Sequence, residues 1–264
     1  SQNCMNLRQA TITTLCALAL GLTSPNPAMG AEKQPLKDRI ESVSVKVQKP
    51  QKIPEGVKKA HHFNLEDLAK YQEIKKECTD FSSSKTGKYC LLVDKARKTL
   101  DVYIDGKLTD TYQVELGSSP YLDKEVEGDR KTPEGLFKIP TVNHSSKYHK
   151  ALLVGYPNAE DAKRGLEKGM ITQKQYKQIV RASKSGTTPS QRTKLGSYIM
   201  IHGNGSEADQ VPQDWTWGCM ALSNDNIDDL YETLGLSNHR KMSTRNKREI
   251  LQTVRVGIVR YGSK

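Results

Sequence analysis

Two side chains in the C-terminal part of the chain have the types needed for nucleophilic catalysis: Cys219 and, upstream of it, His202. A free thiol titrates near pH ~8.5, so little of it is thiolate at neutral pH. A neighbouring imidazole raises that fraction and can then pass the proton to a leaving amine. His202 closes the apolar run Tyr198-Ile-Met-Ile-His202 and stands before the glycine-rich turn Gly203-Asn-Gly205. Cys219 follows Gly218 and precedes a helix that Ser223 can cap. A strand-end histidine and a pre-helix cysteine meet across a cleft when the loop between them folds back. Carbonyls of the Gly203 turn are then the nearest groups able to orient the ring, and backbone N–H groups around Gly218 and Cys219 can hold an oxyanion. Taken alone, such a pair reads by default as a buried structural thiol and a satisfied core histidine. A metal site built from His202, Cys219 and His144 or His149 lacks paired-ligand spacing.

The elements that must position this pair are mostly strands. Tyr89-Cys-Leu-Leu-Val93 is an apolar run, and Thr99-Leu-Asp-Val-Tyr-Ile104 alternates with period two. Asp105-Gly106 turns the chain into a further strand over Thr109 to Leu116. More strands are expected at Leu136 to Ile139, Ala151 to Val154, Ser197 to Ile201 and Val254 to Val259, which predicts a mainly β, sandwich-like or barrel-like core. Residues 158–194 interrupt it. Asn158 to Arg181 reads as helical, with a capping box at Thr172 and Gln175, and Ser183 to Lys194 reads as a loop. This insertion is either a lid over the cleft or a solvated surface excursion. After the cysteine, Ile227, Leu230, Tyr231 and Leu234 fall on one helical face, and Gly235 ends the helix.

Upstream, residues 1–30 read as a secretory signal: Met5-Asn-Leu-Arg8, an uncharged apolar stretch from Ala10 to Leu22, then Ala28-Met29-Gly30. The run is short for a membrane span, and an interfacial anchor is the alternative. Residues 1–4 precede the start that Met5 offers and read as a remnant or a misread start. Residues 31–60 form a basic, proline-containing linker, and residues 61–88 a helical segment in which Asn64 can cap. The chain carries 41 Lys and Arg against 30 Asp and Glu, and only Arg8 of these lies in the first thirty residues. A net positive surface attracts polyanions, anionic wall polymers among them. Its basic residues are scattered and match no nucleic-acid motif, so no nucleic-acid partner is expected. Cys4 and Cys16 fall in the signal segment, leaving Cys78, Cys90 and Cys219. An odd count in an exported chain points to one pair and one free thiol. The intervening loop has serines and a glycine to turn back on itself, so Cys78 and Cys90 are the expected disulfide, with two buried free thiols as the alternative.

The stretch around the cysteine resembles the L,D-transpeptidase catalytic domain of the YkuD or ErfK type. His202, Thr216, Gly218, Cys219, Met220 and Asn224 fill that family's pattern of a histidine, a loop, then Ser/Thr-His-Gly-Cys and a following Asn. The likeness extends through Leu92 to Leu100, Val114-Glu-Leu-Gly117 and Glu127 to Gly135, and so covers residues 89–262 with the insertion 158–194. Two positions depart from it: Trp217 replaces the histidine before Gly-Cys, and Ala221 replaces an arginine common two places after the cysteine. The resemblance implies a mainly β fold with helical insertions and a Cys–His cleft, exported to the periplasm or cell wall. It implies attack by Cys219 on the L,D bond of a peptidoglycan stem tetrapeptide, with His202 as base and no cofactor or metal. An amine of another stem, or a lysine of a cell-wall lipoprotein, would resolve the thioester. With water as acceptor the protein is a carboxypeptidase or hydrolase, and a non-catalytic wall-binding module is the alternative from another class. Thr216, Trp217, Asn224, Tyr156 and His149 are candidate substrate-binding residues, although His149 reads equally as an ordinary edge-strand residue.

Overall fold

The computed structural model describes residues 65–205, 213–238 and 241–260. The signal segment, the linker and the Asn64 cap lie outside the described residues.

Residues Leu65–Ser82 form helix α1, which leads into β1 (Tyr89–Asp94), β2 (Thr99–Ile104) and β3 (Lys107–Gln113). Strand β4 (Gly135–Phe137) follows, then the hairpin β5 (Thr141–Ser146) and β6 (His149–Leu153). The insertion comes next as α2 (Ala159–Glu167) and α3 (Gln173–Ser185). The chain closes with β7 (Met200–His202), β8 (Met220–Ala221), α4 (Asn224–Thr233), α5 (Thr244–Gln252) and β9 (Val254–Val259). The single helical stretch expected between Asn158 and Arg181 is thus two helices broken at Gly169. Strand β5, strand β8 and helix α5 were not foreseen.

The strands form two sheets, ordered β3-β2-β1-β9-β4 and β5-β6-β7-β8. Among the described residues no barrel closes, so of the two expected forms the sandwich is the one adopted. One apolar cluster lies between the sheets. Leu91 and Val93 of β1, Val256 and Ile258 of β9, and Leu152, Ile201 and Met220 of the second sheet all contribute to it. Ile227, Leu230 and Tyr231 place the apolar face of α4 against the same core.

Strand β1 is buried along its whole length because its second face is covered too. Cys90 and Leu92 point to a smaller cluster with Ile74 and Cys78 of α1. A Cβ at Gly257 would stand 3.2 Å from Ile74 Cγ2 and 3.0 Å from Leu92 Cδ1, so glycine there lets α1 close down on β9. The structure joins Cys78 to Cys90 across this seam, Cα to Cα 5.4 Å, and leaves Cys219 as the free cysteine among the described residues.

The insertion is tied down at both ends. Asn158 caps α2 in a capping box with Asp161, and Thr172 caps α3 in another with Gln175. Ala162, Ile171, Ile179 and Leu195 give the hairpin its own small core. Arg164 pairs with Asp123 at 2.9 Å, and the Glu127 N–H donates to the Lys194 carbonyl at 2.9 Å. Gly186, in the stretch expected to be a loop, is the left-handed C-cap of α3 at φ 67°.

Helix α1 has few apolar residues toward the sheet, so the disulfide carries much of its attachment. Replacing Cys78 and Cys90 together by Ala should cost roughly 2–3 kcal/mol in urea unfolding, the scale for closing so short a loop. An unchanged midpoint would show that packing alone holds α1.

Candidate active site

The candidate site lies where the second sheet ends in a parallel pair. In the β7–β8 register Ile201 faces Met220 and His202 faces Ala221. Cys219 immediately precedes β8, as His202 closes β7, so the two flank the same parallel pair.

The segment carrying Cys219 is bonded on both sides. Beyond β3 the chain leaves the first sheet: Glu115 exchanges both backbone hydrogen bonds with Ala221, each 2.8 Å. Ser118 donates to the Thr216 carbonyl at 3.0 Å and Thr216 to the Leu116 carbonyl at 3.1 Å. The strand expected over Thr109 to Leu116 therefore ends in the first sheet at Gln113 and continues as bridges to the segment carrying Cys219. On the other side, the Leu222 N–H donates to the His202 carbonyl at 2.8 Å.

Thr216 is buried and works as a brace. Its hydroxyl donates to the Cys219 carbonyl at 2.7 Å and accepts from the Gly218 N–H at 3.1 Å. It is thus a positioning residue and not a surface for substrate. The Gly218 N–H, expected among oxyanion donors, is already committed to that hydroxyl. Gly218 itself has φ +121°, and a Cβ there would stand 2.5 Å from the Lys131 carbonyl oxygen, so only glycine fits before the cysteine.

Asn224 is a clamp as well. It accepts from the Gly205 N–H at 3.1 Å and donates to the Gly205 carbonyl at 2.7 Å. A Cβ at Gly203 would meet Asn224 Oδ1 at 2.6 Å, so the turn after His202 can close on α4 only as glycine. The Gly203 carbonyl accepts a hydrogen bond from His202 Nδ1–H at 2.7 Å, which leaves Nε2 as the basic nitrogen.

Two aromatic rings that the sequence did not single out enclose His202. Tyr148 stacks on the imidazole, centroids 4.7 Å apart at 25°, and Trp215 meets it edge-on at 5.8 Å. Both flank residues that were singled out, His149 and Thr216, and the choice between neighbours turned on side-chain direction. His149 has φ +73° at the start of β6 and turns to Asp228 of α4, Nε2 to Oδ1 2.6 Å, a carboxylate shared with Lys150. Tyr156 is fully buried and donates to the Leu195 carbonyl at 2.7 Å, so it is a core residue. Trp217 is 68% exposed and carries the Arg130 guanidinium 4.9 Å above its ring. Among the described residues no group of three or more His, Cys, Asp or Glu is placed to hold a metal.

The electrostatics favour a neutral pair. Burial holds His202 below its ordinary value, Lys147 adds to this, and the Gly203 bond opposes it. Burial pushes the Cys219 thiol up to about 11, against a smaller opposing effect of a Met200 backbone bond and Lys124. The thiol donates to the Tyr198 carbonyl at 3.4 Å. The resting state is therefore thiol and imidazole, in contrast to the enriched thiolate that the sequence led us to expect.

With this geometry in place, the comparisons fall into line. The YkuD L,D-transpeptidase catalytic domain matches residues 88–254. The chain belongs to that family. YafK of Escherichia coli (strain K12), whose own assignment as an L,D-transpeptidase is provisional, is 27% identical over 144 residues, which cover 52% of this chain and 44% of YafK. The chain thus spans less than half the length of this curated relative. Among solved structures, the helical cell shape determining protein Pgp2 of Campylobacter jejuni matches with a TM-score of 0.42 at 20% identity, covering 73% of this chain and 57% of Pgp2. Bd1075 of Bdellovibrio bacteriovorus matches with 0.39 at 21% identity, covering 68% and 51%.

The neutral pair has a measurable consequence. Alkylation of Cys219 by iodoacetamide should rise with pH toward a midpoint near about 11, well above the ~8.5 of a free thiol. Reaction that uses neutral His202 as base should be lost only as pH falls clearly below ~6.5, because a lowered pKa moves protonation to more acid pH. An alkylation midpoint below ~7 would instead show a standing thiolate–imidazolium pair. A second expectation concerns the brace: Thr216→Val should lose about 1–3 kcal/mol of stability in thermal unfolding, since it strands a buried N–H. An unchanged melting temperature would show that Thr216 braces nothing.

Proposed function

We propose that this protein is an exported, peptidoglycan-modifying cysteine enzyme that acylates Cys219 at the L,D bond of stem tetrapeptides. The observation that carries the reading is that His202 closes β7 and Cys219 leads into its parallel partner β8, in a chain of the L,D-transpeptidase family. Attack and deprotonation occur together. As Cys219 Sγ bonds the carbonyl carbon of the diamino acid, His202 Nε2 takes the thiol proton, and Nδ1 keeps its bond to Gly203. The Cys219 N–H is the backbone donor best placed for the oxyanion, since Gly218 is committed to Thr216. His202 then returns the proton to the departing D-alanine amine, leaving a thioester on Cys219. An amine from a second stem, or a lysine of a wall lipoprotein, attacks that thioester and forms the cross-link or attachment.

The exposed rings of Tyr198, whose carbonyl accepts from the Cys219 thiol, and of Trp217, two residues before Cys219, offer apolar surface to a peptide or sugar. Export is consistent with the Cys78–Cys90 disulfide and with a net positive chain acting beside anionic wall polymers. No helix among the described residues is long and apolar enough to cross a membrane.

One observation favours hydrolysis as a second reading. Ala221 is buried and both of its backbone groups are bonded to Glu115, so no cation holds substrate from that position. A loosely held acceptor gives water its chance.

Incubation with purified peptidoglycan and mass spectrometry of the muropeptides tests these readings. Cross-links gained support transfer, and stems shortened or cross-links lost support hydrolysis. Cys219→Ala should abolish turnover and His202→Ala should lower it at least ~100-fold. Full activity in the cysteine variant would overturn the assignment; wall binding with no turnover would make the protein a binding module.

A further inference from the structure

We propose that Arg130, held on the face of Trp217, forms a carboxylate-binding subsite beside Cys219 that takes the terminal carboxylate of the donor stem. This rests on the stem-peptide reading above and specifies how such a substrate is held. Its basis is placement. Trp217 lies two residues before the nucleophile, is exposed, and supports the guanidinium at 4.9 Å. The Arg130 backbone reaches the same spot: its carbonyl accepts from the Ser119 N–H at 3.1 Å and packs against Gly117. A Cβ at Gly117 would lie 2.2 Å from that oxygen and 3.0 Å from Gly218 Cα. Arg130, Gly117 and Gly218 are thus in successive contact, ending next to Cys219.

The chemistry suits an anion. Stacking engages the face of a guanidinium and leaves its edge N–H groups directed outward, where two can grip one carboxylate. No acidic side chain among the described residues forms a salt bridge with Arg130. Two other cations are engaged elsewhere: Lys124 is buried on Asp129 and the Val126 carbonyl, and Lys147 lies over the Tyr148 ring. Lys131, whose carbonyl packs against Gly218, is the neighbouring cation to be tested beside Arg130. Ala221 supplies no charge. A stem tetrapeptide ends in a carboxylate one residue beyond the bond that Cys219 attacks, which is the group an arginine at the rim of the cleft would meet.

Binding is the direct test. With turnover blocked by Cys219→Ala, calorimetry compares a synthetic stem tetrapeptide ending in a free carboxylate with the same peptide ending in an amide. The acid should bind at least ~10-fold more tightly, as a charge-assisted fork implies. Adding Arg130→Ala should bring the two affinities together, Arg130→Lys should keep part of the preference, and Lys131→Ala should keep all of it. A preference that survives Arg130→Ala, or disappears with Lys131→Ala, overturns the subsite and leaves the stem-peptide reading standing. If neither peptide binds the parent protein, both fall.

Discussion

Residues Thr216 to Leu222 are hydrogen-bonded along both edges, and the candidate site depends on that double attachment. Glu115, Leu116 and Ser118 hold one edge, and His202 holds the other. The segment on the first edge is the continuation of β3, which has left its own sheet to serve the second. A strand that changes sheets joins the two layers of a sandwich at one corner. Here the corner carries Cys219. Its position is therefore set by the whole fold, and the glycines at 117, 203 and 218 mark where backbones approach too closely for a side chain.

The same burial that fixes the geometry sets the charge state. Desolvation penalises both a thiolate and an imidazolium, so the pair rests neutral. Tyr148 and Trp215 enclose the imidazole and exclude water from two of its sides. A neutral pair costs some ground-state nucleophilicity. In the proposed reaction, charge would develop only during attack, where fixed backbone dipoles would stabilise it. Such a thiol would also resist adventitious oxidation, which follows thiolate character.

Much of the scaffold was legible because its elements obey a period. Val254–Val259 appears as a strand at the limits expected, and Ser223 caps α4 through its bond from the Asn226 N–H. Thr172 and Gln175 form their capping box for the same local reason. Strand β8 escaped notice because two residues carry no period, and β5 because its polar TVNHSS sequence lies half in solvent. At the candidate site, residue types singled out Cys219 and His202, but not the direction of their neighbours. Tyr148, and not His149, meets the imidazole because the β5–β6 register shifts between Asn143 and Ser146 and His149 takes a positive φ. Thr216 and Asn224 were found by motif, yet both serve the backbone: only the hydrogen-bond partners distinguish a brace from a contact with substrate. Tyr156 turned inward because Leu195, distant in sequence, supplies its acceptor.

The central claim is that Cys219 forms a covalent acyl intermediate with a stem peptide. Its most direct test is to mix the protein with a disaccharide tetrapeptide, quench in acid within seconds, and map the digested protein by mass spectrometry. The account predicts an adduct on the Cys219 peptide with the mass of the stem less D-alanine, and release of one free D-alanine for each adduct. A Cys219 peptide that stays unmodified while D-alanine is released, or an adduct carried by another residue, would contradict it.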